Sequence, residues 1–393
     1  MPPLTVRALN RATLARQMLL AREAVPVVEA VRRLVGLQAQ APASPFLSLW
    51  CRVAHFDAAA LRGSFFDRTV VRGTLMRITL HAALAGDYPD LHAAVLRILR
   101  AARLGDRRFT AAGLSIEEAD AFLPVLLEFT AVPRTGPEIE AMIASHFGGE
   151  RKGLWWALRT YAPVLRAPDD SPWCFGPASS FQSGLPASSF HSGLPASSLH
   201  SGLPASGTDR DSATRALVRR YLAAYGPATI ADIARFTLLP RAVLRAAVAA
   251  DLRSADVIEL SAGLYDVPGA PLPDEDTPAP PRLLPMWDNV LLAHADQARF
   301  TTPEHRKAFA RVNGDVLPTL LVDGRVAGVW RATPEGIEAT AFHPLSRADW
   351  AGLSAEAAAL TAFLAPIDPL PFARHAHWFT KPLPAAEIRL LPR

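Results

Sequence analysis

Gln38 and Gln40 stand two residues apart, with Gly36 before them and Pro42 and Pro45 after. A side-chain amide carries a carbonyl acceptor and an NH₂ donor, so two of them can hold a water in a fixed orientation without taking up a proton. In an ideal helix residues i and i+2 point about 200° apart. The two amides can serve one target only on extended or helix-terminal backbone, which the glycine and the nearby prolines permit. On spacing alone, Gln38 and Gln40 read as solvent-facing glutamines at a helix end.

Other chemistries find less support. The chain has 11 histidines, but His375 and His377 are merely two apart, and His191 and His200 lie in a low-complexity repeat. There is no His-Glu-x-x-His, no cysteine cluster, no phosphate-binding loop and no dinucleotide glycine fingerprint. We therefore expect neither a metal nor a cofactor. Cys51 and Cys174 are too far apart to suggest a redox pair. A reducing cytoplasm is the simplest compartment, and no uncharged stretch approaches the roughly 20 residues of a membrane span.

Of the 41 basic residues, only Lys152, Lys307 and Lys381 are lysines. An arginine surplus of this kind reflects either a GC-rich genome or a surface suited to phosphate oxygens. Local charge is more telling than the net of +4. Between Arg215 and Arg253 there are seven arginines against two aspartates. The run Arg97, Arg100, Arg103, Arg107 and Arg108 reads equally as a phosphate track or a solvated helix face.

The elements that must carry these residues follow from periodicity. Leu9–Ala21 and Pro26–Leu37 have helical spacing, Thr69–Leu80 alternates, and Leu91–Arg103 and Ser115–Phe129 read as helices. Thr135 and Pro137 open another helix, Leu154–Tyr161 follows, and Val164–Arg166 reads as a short strand. Arg215–Tyr225, Thr229–Phe236 and Arg241–Asp251 are three helices, succeeded by a hairpin over 257–267. Helix, helix, helix, hairpin is the order of a winged helix-turn-helix, and with this charge it points to nucleic acid. Farther on, Asp323-Gly324 between Leu317–Val322 and Arg325–Trp330 predicts a hairpin with a type I′ turn. A helix is expected over Ser354–Leu364.

Two stretches read as linkers. ASSFQSGLP, ASSFHSGLP and ASSLHSGLP repeat in tandem over 178–204, and Pro268–Pro281 is proline-dense and acidic. The expected organisation is therefore a first winged-helix unit over 1–110, a second over 111–172 and a flexible insert over 173–210. A third unit over 211–267, the linker 268–281 and a C-terminal α/β module over 282–393 follow. The fold class is mainly α with small β wings: tandem winged helix-turn-helix units plus a mixed α/β module.

Five motifs occur in order: Gly36-Leu37-Gln38-Ala39-Gln40, Met76–His81, Ala224–Thr229, Leu283-Leu284-Pro285, and Val322–Arg325 with Gly328–Arg331. Together they resemble the winged-helix family of AlkZ/YcaQ-like alkylpurine DNA glycosylases, over nearly the whole chain except the nonapeptide insert. The resemblance implies tandem winged-helix units around DNA, and Gln38 and Gln40 as the catalytic pair of the AlkZ-like branch. The candidate DNA contacts are Arg72, Arg77, His81, Arg241, Arg245 and Arg325. One position departs. Where the family commonly has glycine in an Arg–Gly–Thr–Leu–His stretch, this chain has Ile78, which bears on the local turn and on His81.

A glutamine pair suits a particular leaving group. An N7- or N3-alkylated purine is cationic, so its glycosidic bond is already primed, and no strong general acid is needed. What remains is to place a water at C1′ and stabilise the developing oxocarbenium ion. The expectation is a monofunctional DNA glycosylase acting, as a monomer, on double-stranded DNA with alkylated purines. The alternative is a winged-helix regulator without catalysis, in which the Gln-x-Gln motif would have no purpose.

Overall fold

The computed structural model describes residues 4–184 and 209–391. Alternation along the strands nearest Gln38 sets the architecture. Strands β1 (Leu37–Gln38), β2 (Val70–Thr74), β3 (Leu80–Leu84), β4 (Val164–Arg166) and β5 (Phe181–Ser183) form one antiparallel sheet in the order β1-β3-β2-β4-β5. Successive side chains leave a strand on opposite faces. Val70, Ala82 and Leu84 accordingly enter one core, while Val71, Ala83 and Ala85 enter another. The first core joins Phe46, Leu47 and Leu49 to Leu283, Leu284, Trp330 and Leu353 of the C-terminal region. The second gathers Leu91, Leu99, Phe122, Leu158, Tyr221 and Phe236. The sheet bearing Gln38 is thus held from both sides.

The helices Arg210–Tyr225, Ile230–Thr237 and Arg241–Arg253 are followed by a two-stranded hairpin, β6 (Ile258–Ser261) and β7 (Leu264–Asp266), in the order the sequence predicts. A second five-stranded sheet has the order β12-β11-β10-β9-β8, with β8 (Arg282–Leu284), β9 (Thr319–Val322), β10 (Arg325–Thr333), β11 (Gly336–Ala341) and β12 (Glu387–Leu391). The helix Arg347–Leu364 packs on it. Asp323 (φ 45°) and Gly324 (φ 74°) are both left-handed, as a type I′ turn requires. A Cβ on Gly324 would come within 2.6 Å of Asn10 Oδ1, so the hairpin tip lies directly on the helix Val6–Arg16. Asp323 accepts from both Arg7 and Arg11 there.

The fold is mixed α/β, and its β structure exceeds small wings. The first sheet draws strands of two to five residues from well-separated parts of the chain, too short and scattered for periodicity to assemble. In the second, the consecutive strands β9, β10 and β11 are joined by the more distant β8 and β12. The second helix also ends early. It spans Val27–Arg33, and Gly36 (φ 80°) then turns the chain so that Leu37 and Gln38 are extended. Only the first nonapeptide copy is described, as far as residue 184. There Phe181 is buried and Phe181–Ser183 pairs with β4, so this part is an edge strand rather than linker. The second and third copies lie outside the described residues. Among the described residues no helix is long and apolar enough to cross a membrane.

Buried ion pairs bind the parts together. Arg16 grips Asp266 of β7 through two contacts of 2.6 and 2.7 Å. Arg52 meets Asp288 in a bidentate pair with both contacts at 2.8 Å and side chains 1% and 0% exposed. Asp288 also accepts from Ser48 and from the Val290 N–H, which fixes the turn that carries Asn289. Removing one partner leaves an uncompensated buried charge. Asp288→Ala is therefore expected to lower unfolding free energy by about 3–5 kcal/mol, while Arg52→Met/Asp288→Leu recovers part of the loss. Urea unfolding of both variants checks this, and a neutral Asp288→Ala would contradict it.

Candidate active site

The backbone from Gly36 to Gln40 runs along the edge of β3. Leu37 lies opposite Ala82 and Gln38 opposite His81, and the Ala39 N–H donates to Leu80 O at 2.7 Å. Leu37 and Gln38 are extended, and Gln40 follows in a bend just ahead of the helix Ala43–Trp50. Gln38 is 5% exposed, whereas Gln40 faces solvent. Gln40 Oε1 accepts from the Leu80 N–H at 3.3 Å.

Two guanidinium groups clamp this strand. Arg72, on β2, donates twice to Ala39 O, at 3.0 and 2.7 Å, and lies 4.6 Å over the Phe175 ring. Arg77 donates through Nη2 to Gln38 Oε1 at 2.7 Å and to Asn289 Oδ1 at 3.0 Å. Its Nη1 donates to Phe236 O at 3.3 Å, and its guanidinium lies 4.7 Å over the Phe236 ring. Burial pulls Arg72 down to about 9 and Arg77 down to about 10, so both stay charged at neutral pH. Asn289 in turn donates to Gly36 O at 2.8 Å, closing the ring of contacts around the Gln38 strand.

His81 is fully buried beside Arg77. Its Nδ1 lies 3.0 Å from Thr79 O and its Nε2 lies 3.3 Å from Arg77 Nη2. A carbonyl can only accept, so Nδ1 carries the proton and Nε2 offers its lone pair to the guanidinium. Burial, with Arg77 adding to it, pushes the imidazole down to about 3. His81 is neutral and cannot act as a general acid at physiological pH.

The residues expected on DNA divide in two. Arg72 and His81 are buried, and Arg77 is partly buried with its guanidinium taken up by protein groups; they lie beneath the surface because their charge or lone pair is spent on the Gln38 loop. Arg241 and Arg245 are exposed, one turn apart on the helix Arg241–Arg253. Arg325 is half-buried and donates to Ala298 O at 2.7 Å. The seven-arginine stretch is partly neutralised, since Arg215 and Arg219 share Asp251, and Arg220 pairs with Asp87. In the arginine run before it, Arg100 pairs with Asp120, and Arg103 and Arg108 both lie 4.5 Å over the Trp156 ring. Sequence reasoning missed Asn289. It lies four residues beyond the Leu283-Leu284-Pro285 motif, and its contacts cross 212 and 253 residues of chain.

His92 and His294 share the state of His81. Each has Nε2 at 2.9 Å from a carbonyl, that of Tyr161 and of Tyr225, and burial pushes them down to about 4 and about 3. An unfolded histidine titrates near 6.5. Between those limits the unfolded chain binds the extra protons, so the stabilising preference is complete above about 6.5 and is lost as pH falls. Each group contributes a slope approaching about 1.4 kcal/mol per pH unit. Urea midpoints are expected to fall steeply from pH 7 to pH 5; equal midpoints at the two values would contradict these assignments.

With this geometry in view, comparison with known proteins is informative. A family model described as DNA glycosylase AlkZ-like matches residues 31–363. A curated relative named interstrand DNA cross-link repair glycosylase, from Streptomyces sahachiroi, is 30% identical over 155 residues, which is 38% of this chain and 42% of that protein. The solved structure of the Streptomyces sahachiroi DNA glycosylase AlkZ superposes with a TM-score of 0.75 at 22% identity, covering 94% of this chain and 98% of the other. The overall fold is therefore shared across almost the full length of both chains. On the strength of the family match, this chain belongs to the AlkZ-like DNA glycosylase family.

Proposed function

We propose that the protein is a monofunctional DNA glycosylase that hydrolyses the N-glycosidic bond of cationic N-alkylated purines, with Gln38 and Gln40 placing the attacking water. One observation carries this reading: among the described residues, the side chain bonded to Gln38 is a guanidinium, and no carboxylate is hydrogen-bonded to it. The side-chain partner of Gln38 is Arg77, which stays protonated; His81 is held neutral; and the carboxylate of Asp288, next to Asn289, is consumed by Arg52. Such a site cannot protonate a leaving group. It suits a base that already bears positive charge, and N7-alkylguanine is the representative case.

Gln40 at the surface supports action on bulky adducts and interstrand crosslinks, which need not enter a closed pocket, and the name of the Streptomyces relative points the same way. The substrate is double-stranded DNA bound by a monomer in a reducing cytoplasm. The helices and hairpin of 211–267 support the winged-helix assignment, and 1–110 and 111–172 are proposed as its companions. Arg241 and Arg245, exposed and outside the ion pairs of their unit, are the proposed phosphate contacts.

The deciding experiment incubates the protein with duplex DNA carrying N7-methylguanine and counts alkali-labile abasic sites. The wild type is expected to release the base, and Gln38→Ala/Gln40→Ala to lose at least 100-fold in rate, on the order of a lost transition-state contact. Undiminished release by the double variant would sink the mechanism. Duplex binding with no release by wild type would favour the regulator reading instead.

A further inference from the structure

Arg77 reaches Gln38 by an unusual backbone path. Between β2 and β3 the chain makes a turn in which Arg77 (φ 56°) and Ile78 (φ 59°) are both left-handed. A β-branched residue such as Ile78 rarely adopts this conformation, whereas a glycine would adopt it freely. The strain is sustained by the Leu75 N–H to Thr79 O and Thr79 N–H to Met76 O bonds, at 3.0 and 3.2 Å, and by the packing of Ile78 against the second core. Its result is to turn the Arg77 side chain back across β3 to the β1 edge.

There the guanidinium Nη2 has three acceptors, and the shortest contact, 2.7 Å, is to Gln38 Oε1. No carboxylate pairs with Arg77 among the described residues. Its charge is therefore directed at neutral acceptors, foremost the Gln38 amide. A cationic donor on the carbonyl fixes which end of the amide faces inward, because a flipped amide would set NH₂ against NH₂. It also draws electron density from the amide and makes the outward NH₂ a better donor. His81 and Asn289 prevent Arg77 from swinging out to solvent.

We propose that Arg77 is a positioning residue: it locks the Gln38 carboxamide with its oxygen inward and its NH₂ presented to the reacting centre. This rests on the glycosylase reading given above. It reassigns Arg77 from DNA contact to support of the catalytic amide.

The test is a double-variant cycle with the full-length chain on N7-methylguanine duplex, using Arg77→Met, Gln38→Ala, their combination, and Arg77→Lys. Single-turnover rate constants at saturating protein are compared with duplex dissociation constants. Arg77→Met is expected to slow release by about 10–100-fold, the scale of misplacing a catalytic group, with duplex affinity within about threefold, well under the tenfold of one strong contact. The combined variant is expected to be no slower than Gln38→Ala, and Arg77→Lys to recover part of the rate. Weakened duplex binding with an unchanged rate constant, or an equal loss in the Gln38→Ala background, would overturn the proposal. A wild type that releases no base defeats the glycosylase reading alone. In that event a high-resolution structure of Arg77→Met decides: a reoriented Gln38 amide supports the lock, and an unmoved one overturns it. Should Arg77→Met fail to fold, Arg77→Lys carries the same comparison.

Discussion

The guanidinium of Arg77 is where three distant stretches of chain meet. It touches Gln38 and His81 of the first sheet, Phe236 of the three-helix unit and Asn289 between β8 and β9 of the C-terminal sheet. A buried or half-buried cation must have its donors satisfied, and neutral acceptors can do so only if they converge from fixed positions. The fold supplies that convergence. The two faces of the first sheet feed separate cores, one shared with the C-terminal region and one with the helices, so neither partner can move without disturbing the β1 edge. Asn289 depends in turn on the Asp288 turn and its pair with Arg52.

The arginines consequently have two different occupations. Arg11, Arg16, Arg52, Arg72 and Arg299 are nearly or fully buried and join segments that hydrophobic contact alone would leave free to slide. Arg235, Arg241, Arg245 and Arg253 are exposed on one compact unit and stand outside its ion pairs. The small net charge of +4 conceals this partition. Part of the positive charge is spent inside, where the planar guanidinium can satisfy several carbonyls at once.

Local signals were legible in the sequence wherever the structure is locally determined. The Asp323-Gly324 turn, the helix Leu154–Tyr161, the strand Val164–Arg166 and the three helices with their hairpin follow from turn chemistry, capping and periodicity. The motif order also led to the right family, whereas the strand at Leu37–Gln38 replaces the end of a helix expected over Pro26–Leu37. Strand order was not legible, because β1 has two residues and pairs with a segment more than forty positions away. Nor was the burial of Arg72 and His81 legible. Their residue types suggest a polar surface, and only the meeting of β1, β2 and β3 shows that they face inward. The role of Asp288 was not legible either, because its partner Arg52 comes from another part of the chain.

The account stands on Gln38 and Gln40 being the groups nearest the bond that breaks. A crystal structure of the protein on duplex DNA containing a cationic sugar mimic at the lesion position measures this directly. The account predicts the mimic's C1′ position within one bridging water of both carboxamides, each amide at about 2.6–3.2 Å from that water, with Gln38 still bound to Arg77. A mimic seated elsewhere, with both glutamines out of reach of C1′ and of its water, would contradict it.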